Sequence, residues 1–138
     1  MPAKDLYHDI VIESLVADGW AITDDPLKLR YKTRDLYVDL AAERSPIGAE
    51  KEGRFIAVEI KSFLNNSQVE ALQEAIGQFT MYREILKEIE SERIYLAVPK
   101  HVYEGILTEP LGRLMIERSQ LRLIVFSIQE ERILKWIN

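Results

Sequence analysis

The chain contains no cysteine. Disulfides and thiolate zinc sites are thereby excluded, which fits a reducing cytoplasm. It also lacks a long apolar run. Stretches such as Leu123-Ile124-Val125-Phe126 fall far short of the roughly 20 residues that span a bilayer. The opening Met1-Pro2-Ala3-Lys4-Asp5 leads into an amphipathic segment and not an apolar signal core. A soluble, cytoplasmic protein with no membrane association is therefore expected. There is no low-complexity tract, internal repeat or visible second domain. Only two histidines occur; His8 and His101 have no partner at ligand spacing and read as surface residues. Positive charge is the scarcer sign, with 18 Lys and Arg against 23 Asp and Glu, net −5. Affinity for duplex DNA comes largely from basic side chains neutralising phosphates. The deficit argues against strong, non-specific DNA binding by this chain alone, and a partner supplying the basic surface is expected.

What is present is an ordinary globular composition, 47% apolar over 138 residues. That length suits one domain, 1–138, burying about two-thirds of its unfolded surface. The most informative run is Phe55-Ile56-Ala57-Val58-Glu59-Ile60-Lys61-Ser62-Phe63, whose β-branched and aromatic content reads as a strand covered on both faces. Side chains alternate along a strand, so Glu59 and Lys61 project one way while Val58 and Ile60 project the other. Charges inside a covered sheet are costly unless paired or bound to a metal. Asp39, within Leu36-Tyr37-Val38-Asp39-Leu40-Ala41, is a second anomaly of the same kind. Two plainer readings stand beside a catalytic one: a solvated strand face, where such i, i+2 pairs are common, or a buried Glu59–Lys61 ion pair.

The pass along the chain predicts a helix from about Lys4 to Gly19, with Leu6, Ile10 and Ala17 on one face and Gly19 as the stop. Glu13 falls in that stripe, either snorkelling out at its edge or looking inward toward Asp39 and Glu59. Asp24-Asp25-Pro26 predicts a turn. A first strand, Leu27 to Lys32, follows with Lys28, Arg30 and Lys32 in alternation. That basic stripe is either a backbone-phosphate contact or an edge blunted by charge. A second strand covers about Leu36 to Glu43, and a polar connection with Ser45-Pro46-Ile47-Gly48 and Lys51-Glu52-Gly53 leads to the third. Ser67-Gln68-Val69-Glu70 matches a capping box and opens a helix to about Glu90, buried through Val69, Leu72, Ile76, Phe79, Leu86 and Ile89. Gln78 and Tyr82 stack at i, i+4 on its edge, a pattern that alone would usually be helix surface. Beyond it come a buried strand from Arg93 to Val98, a short helix near Val102, a helix from about Glu109 to Arg118, and strands over Leu121 to Ile128 and Arg132 to Ile137. Trp136 reads as core.

A helix crossover after the third strand places the fourth parallel to its neighbour, and Asp39 and Glu59 then lie within reach of one ion. Oxygen donors without Cys or His clusters suit Mg²⁺ or Mn²⁺. Such a metal would polarise a scissile phosphate and acidify a bound water. Lys61 would orient that water or stabilise charge on the phosphate. The Ile60 backbone carbonyl is a further ligand candidate, Glu13 would assist through the water shell, and Gln78 and Tyr82 would brace the site or touch the nucleic acid.

Over about Lys4 to Val98 this arrangement resembles the PD-(D/E)XK nuclease superfamily. The resemblance implies a restriction-endonuclease-like αβββαβ core, here an α/β mixed sheet with an additional C-terminal helix and strands. It implies Asp39, Glu59 and Lys61 as the catalytic set, Glu13 as the acid of the first helix, and Gln78 and Tyr82 as the Gln-x-x-x-Tyr feature of RecB-like members. Val38 stands where many members carry proline. More narrowly, Ala3-Lys4-Asp5-Leu6-Tyr7-His8-Asp9, Tyr37-Val38-Asp39-Leu40-Ala41-Ala42-Glu43, Val58-Glu59-Ile60-Lys61-Ser62-Phe63, Gly77-Gln78-Phe79 and Tyr82-Arg83 look like the XisH family of cyanobacterial proteins. That family is named for control of fdxN element excision, together with a companion, XisI, and a separate recombinase. The implied partners are DNA, an XisI-like companion protein and, as a further option, a second copy of the chain in a homo-oligomer. The implied function is a Mg-dependent endonuclease-like excision factor; the alternative is a catalytically silent nuclease fold acting through its companion.

Overall fold

A computed structural model describes residues 5–45, 54–89 and 93–138. Most of the polar connection after Ser45, the Lys4 start of the first helix and the Glu90 end of the second lie outside these residues.

The first helix, α1, spans His8–Ala17 and starts a turn later than its apolar pattern predicts. The Asp5 carboxylate accepts the Tyr7 N–H at 2.9 Å and the Asp5 carbonyl accepts the His8 N–H at 3.1 Å, a local turn that competes with helix. The inward face is therefore His8, Val11, Ser14 and Leu15. Leu6 is 69% exposed, and Glu13 and Ala17 face solvent, which corrects the expected stripe. Gly19 closes the helix as expected, at φ +92° with its N–H bonded to the Val16 carbonyl at 3.0 Å, a left-handed turn that glycine adopts at least cost.

The described residues form eight strands: β1 (Ala21–Asp24), β2 (Leu27–Tyr31), β3 (Arg34–Val38), β4 (Leu40–Arg44), β5 (Arg54–Ile60), β6 (Arg93–Pro99), β7 (Leu123–Ser127) and β8 (Arg132–Ile137). Six make one sheet in the order β1-β4-β5-β6-β7-β8, and β2 and β3 form a separate hairpin. The β1, β4 and β5 pairings are antiparallel, β5–β6 and β6–β7 are parallel, and β8 returns antiparallel. The four-residue β1 was not anticipated; it is too short to carry a period. The expected single strand from Leu36 to Glu43 is two strands parted at Asp39, one in the hairpin and one in the sheet.

The crossover that parallel pairing needs is α2 (Gln68–Ile89). Ser67 Oγ accepts the Glu70 N–H at 3.1 Å, the cap read from the sequence. Its buried face is Ala71, Leu72, Ala75, Phe79, Tyr82 and Leu86. The line is rotated from the predicted one because the two alanines admit close approach to the sheet, leaving Val69 and Ile89 exposed. Between β6 and β7 lie α3 (Lys100–Glu104), a 3-10 turn (Ile106–Thr108) and α4 (Pro110–Arg118).

The fold is thus mixed α/β, with both faces of its main sheet covered. On one side α1 packs Val11 and Leu15 over Leu40, Ile56, Val58, Ile60, Tyr95 and Phe126. On the other, α2 packs over Ala57, Ile94, Leu96 and Leu123, and the hairpin joins through Leu29 and Val38. Double coverage is why β5, β6 and β7 read as continuous apolar runs.

Candidate active site

Alternation along β5 sends Ile56, Val58 and Ile60 into the α1 side and Ala57 into the α2 side. Glu59 follows Ala57 and is only 7% exposed. On β4 the register Leu40↔Val58 sets Asp39 opposite Glu59, just where the ladder stops. The side chains continue it. The Asp39 N–H donates to Glu59 Oε1 at 3.2 Å, and the Ile60 N–H donates to Asp39 Oδ2 at 2.8 Å. This exchange explains why the chain can change sheets at Asp39 without leaving buried backbone groups unpaired. In an extended strand a residue's N–H and C=O share one edge, so the Ile60 carbonyl opens to the side of Asp39. The next N–H, that of Lys61, is taken by the Ala97 carbonyl of β6 at 2.9 Å.

Burial pushes the Glu59 carboxyl up to about 8, and the charge of Asp39 adds to the rise; the Asp39 N–H and Lys61 oppose it. Asp39 is raised as well, by burial first, against the Ile60 N–H and the neighbouring His8 and Lys61, with Asp5 adding to the rise. Like charges so close cannot both ionise freely, so burial and proximity together favour the protonated form at this pair.

Lys61 projects to the same side as Glu59, as the alternation predicted. Its side chain is 16% exposed; Nζ donates to Gln78 Oε1 at 2.7 Å and lies 3.2 Å from Glu74 Oε1. Tyr82 is buried and its hydroxyl donates to the Tyr37 carbonyl of β3 at 3.0 Å. Burial, with the charges of Glu59 and Asp39, pushes that hydroxyl up to about 12, so it stays a donor. Gln78 therefore braces Lys61, and Tyr82 braces the strand that leads into Asp39. Neither behaves as bare helix surface.

Glu13 is not brought to this group. It is solvent-exposed on α1, across the sheet, and it is not among the charges that move Asp39 or Glu59. His8 at the start of α1 and Asp5 just before it are the groups there that act on Asp39, whereas the sequence reading places His8 at the surface. His8 is 4% exposed, not a surface residue, and its Nε2 lies 2.8 Å from Asp25 Oδ1. Its Nδ1 is buried with no hydrogen-bond partner among the described residues. The available signal was the spacing of His8, Val11 and Leu15 at i, i+3 and i+7, which puts His8 on the packed face. His101 is exposed as expected. The basic stripe is solvent-exposed and already engaged. Lys28 and Arg30 lie 3.7 and 3.1 Å from Asp35 across the hairpin, and Lys32 sits 5.6 Å from the Tyr31 ring centre.

Among the described residues no three Asp, Glu, His or Cys side chains form a ligand cluster. The donors at the β4–β5 junction are two carboxyls and one backbone carbonyl. This all-oxygen set fits a hard divalent cation that retains several waters. Among the described residues, no helix is long and apolar enough to cross a membrane.

The sequence model of the XisH protein family matches residues 1–134. An XisH family protein from Nostoc punctiforme PCC 73102 is 38% identical with a TM-score of 0.87, over 97% of this chain and 100% of that one. A fdxN element excision controlling factor protein from Anabaena variabilis is 36% identical with a TM-score of 0.85, over 98% of this chain and 100% of that one. Among curated proteins none matches.

Proposed function

The chain belongs to the XisH family, and we propose that it is an excision-controlling factor that hydrolyses DNA phosphodiesters with Mg²⁺ or Mn²⁺ on a PD-(D/E)XK-type, restriction-endonuclease-like core. The excision role extends to this chain what the similar Anabaena variabilis protein is called. The observation that carries the chemistry is the pairing of half-buried Asp39 with buried Glu59 at the break between β3 and β4, with Lys61 on the same face. Both carboxyls accept a backbone N–H, yet their closeness and burial oppose ionisation. A cation between them would relieve that cost.

Asp39, Glu59 and the Ile60 carbonyl would hold the ion, and waters and a phosphate oxygen would complete its shell. The bound ion would supply Lewis-acid polarisation of the phosphate and a water of lowered pKa. The chain's own contributions are positional and electrostatic. The Ile60 N–H fixes one Asp39 oxygen, leaving the other to a ligand. Lys61 presents a donor and a positive charge where phosphate charge would build. Gln78 sets the reach of Lys61, and Tyr82 holds the end of β3. Glu13 has no place in this set.

A second reading has its own support. The basic stripe is tied up by Asp35, Lys61 is ion-paired, and the chain carries net −5, so its own surface attracts DNA weakly. In that reading the nuclease fold is catalytically silent and works through an XisI-like companion or a second copy. Cleavage of supercoiled, linear and single-stranded DNA with Mn²⁺ and Mg²⁺, with and without the companion, separates the two. Wild-type cleavage that an identically purified Lys61→Ala protein lacks supports the enzyme. Folded wild type that binds its companion and cuts nothing supports the silent factor.

A further inference from the structure

Lys61 has two partners of different kinds on α2, four residues apart. Gln78 is half-buried and neutral and makes the shorter contact, 2.7 Å; Glu74 is charged, 52% exposed and 3.2 Å away. A neutral amide can hold an ammonium whether or not an anion stands nearby. A carboxylate does so at the anion's expense, because it competes for the same charge. Glu74 also stands at the solvent end of the contact. Its side chain can swing into water at little cost, since its own end of the ion pair is solvated.

We propose that Glu74 is an exchangeable counter-ion: it neutralises Lys61 in the free protein and is displaced by a backbone phosphate, while Gln78 keeps Lys61 in place. This rests on the reading of the site as a phosphodiester site and adds a residue that governs affinity. The geometry favours the exchange. Glu74 and an incoming phosphodiester would approach the same Lys61 Nζ, whereas Gln78 holds it from the buried side without contributing charge. An anion therefore gains most from Lys61 once Glu74 has left. Removing the Glu74 charge while keeping its shape should then strengthen anion binding, and only through Lys61.

The test is the affinity of a fluorescent single-stranded oligonucleotide, in Ca²⁺ and at fixed salt, for wild type, Glu74→Gln, Lys61→Ala and the double variant. Glu74→Gln is expected to tighten binding about fivefold in the wild-type background and less than about twofold with Lys61→Ala. Equal tightening in both backgrounds, or none in either, overturns the proposal. So does failure of Glu74→Gln to bind the oligonucleotide at all. Melting of the same four proteins with and without Mn²⁺ reports on the underlying site separately. A shift retained in Glu74→Gln without Lys61-dependent tightening sinks the counter-ion alone; tightening without any Mn²⁺ shift sinks the metal site alone.

Discussion

The two faces of the main sheet bury similar strands by different means. The α1 side is an apolar and aromatic core, with Trp136 5.7 Å from Trp20 and 5.2 Å from Tyr95, ring centre to centre. The α2 side is apolar along β6 and β7, yet where β5 ends it holds Glu59, Lys61 and their partners. The same strand serves both, one residue apart. A continuous core on one face can anchor β5 while its other face carries carboxyls whose burial is costly. The α1 side keeps the sheet together, and the α2 side uses it to hold a carboxyl pair in place.

On that contrast, changes on the α1 face should only weaken the fold, and neutralising the carboxyl pair should strengthen it. Leu15 is fully buried, and Leu15→Ala is expected to destabilise by about 3 kcal/mol in denaturant unfolding. Glu59→Gln should do the reverse and stabilise the metal-free protein by about 2 kcal/mol at pH 8, because a neutral isostere replaces a buried acid. A loss of stability there would mean that Glu59 is a structural ion-pair partner.

The same residue sharpens the comparison through pH. The folded Glu59 carboxyl binds its proton more tightly than an unfolded one, its pKa rising from 4.5 to about 8. The native state therefore holds more protons than the unfolded state across that window, and stability falls as pH rises through it. Below about pH 4.5 the effect vanishes; above about pH 8 the full penalty is present. Wild-type melting should drop between pH 5 and pH 8, and Glu59→Gln should remove most of that drop. The smallest effect belongs to α2's outer surface. A Cβ at Gly77 meets nothing within 4 Å, so Gly77→Ala should stabilise by about 0.5–1 kcal/mol through helix propensity. No gain in melting temperature would reveal a contact that the free chain does not show.

These contrasts also show what the sequence made legible. The period-2 pattern of β5 fixed the sides taken by Glu59 and Lys61, and Ser67 announced α2, because both signals are local. The break at Asp39 was hidden because it depends on two side chains, twenty residues apart, taking over backbone hydrogen bonds. The phase of α1 was misread for a related reason. Asp5 makes a turn before His8, so Leu6, counted as the first buried residue, never enters the helix. That single shift moved Glu13 out of the site and His8 toward it.

We propose that the Asp39–Glu59 pair takes up a divalent cation and releases protons on doing so. Calorimetric titration of Mn²⁺ into wild type and into Glu59→Ala, matched for folding by circular dichroism, tests it most directly. Saturable one-site binding with proton release in the wild type, absent from Glu59→Ala, is the predicted result. No binding by the wild type at millimolar Mn²⁺, or equal binding by both proteins, would contradict it.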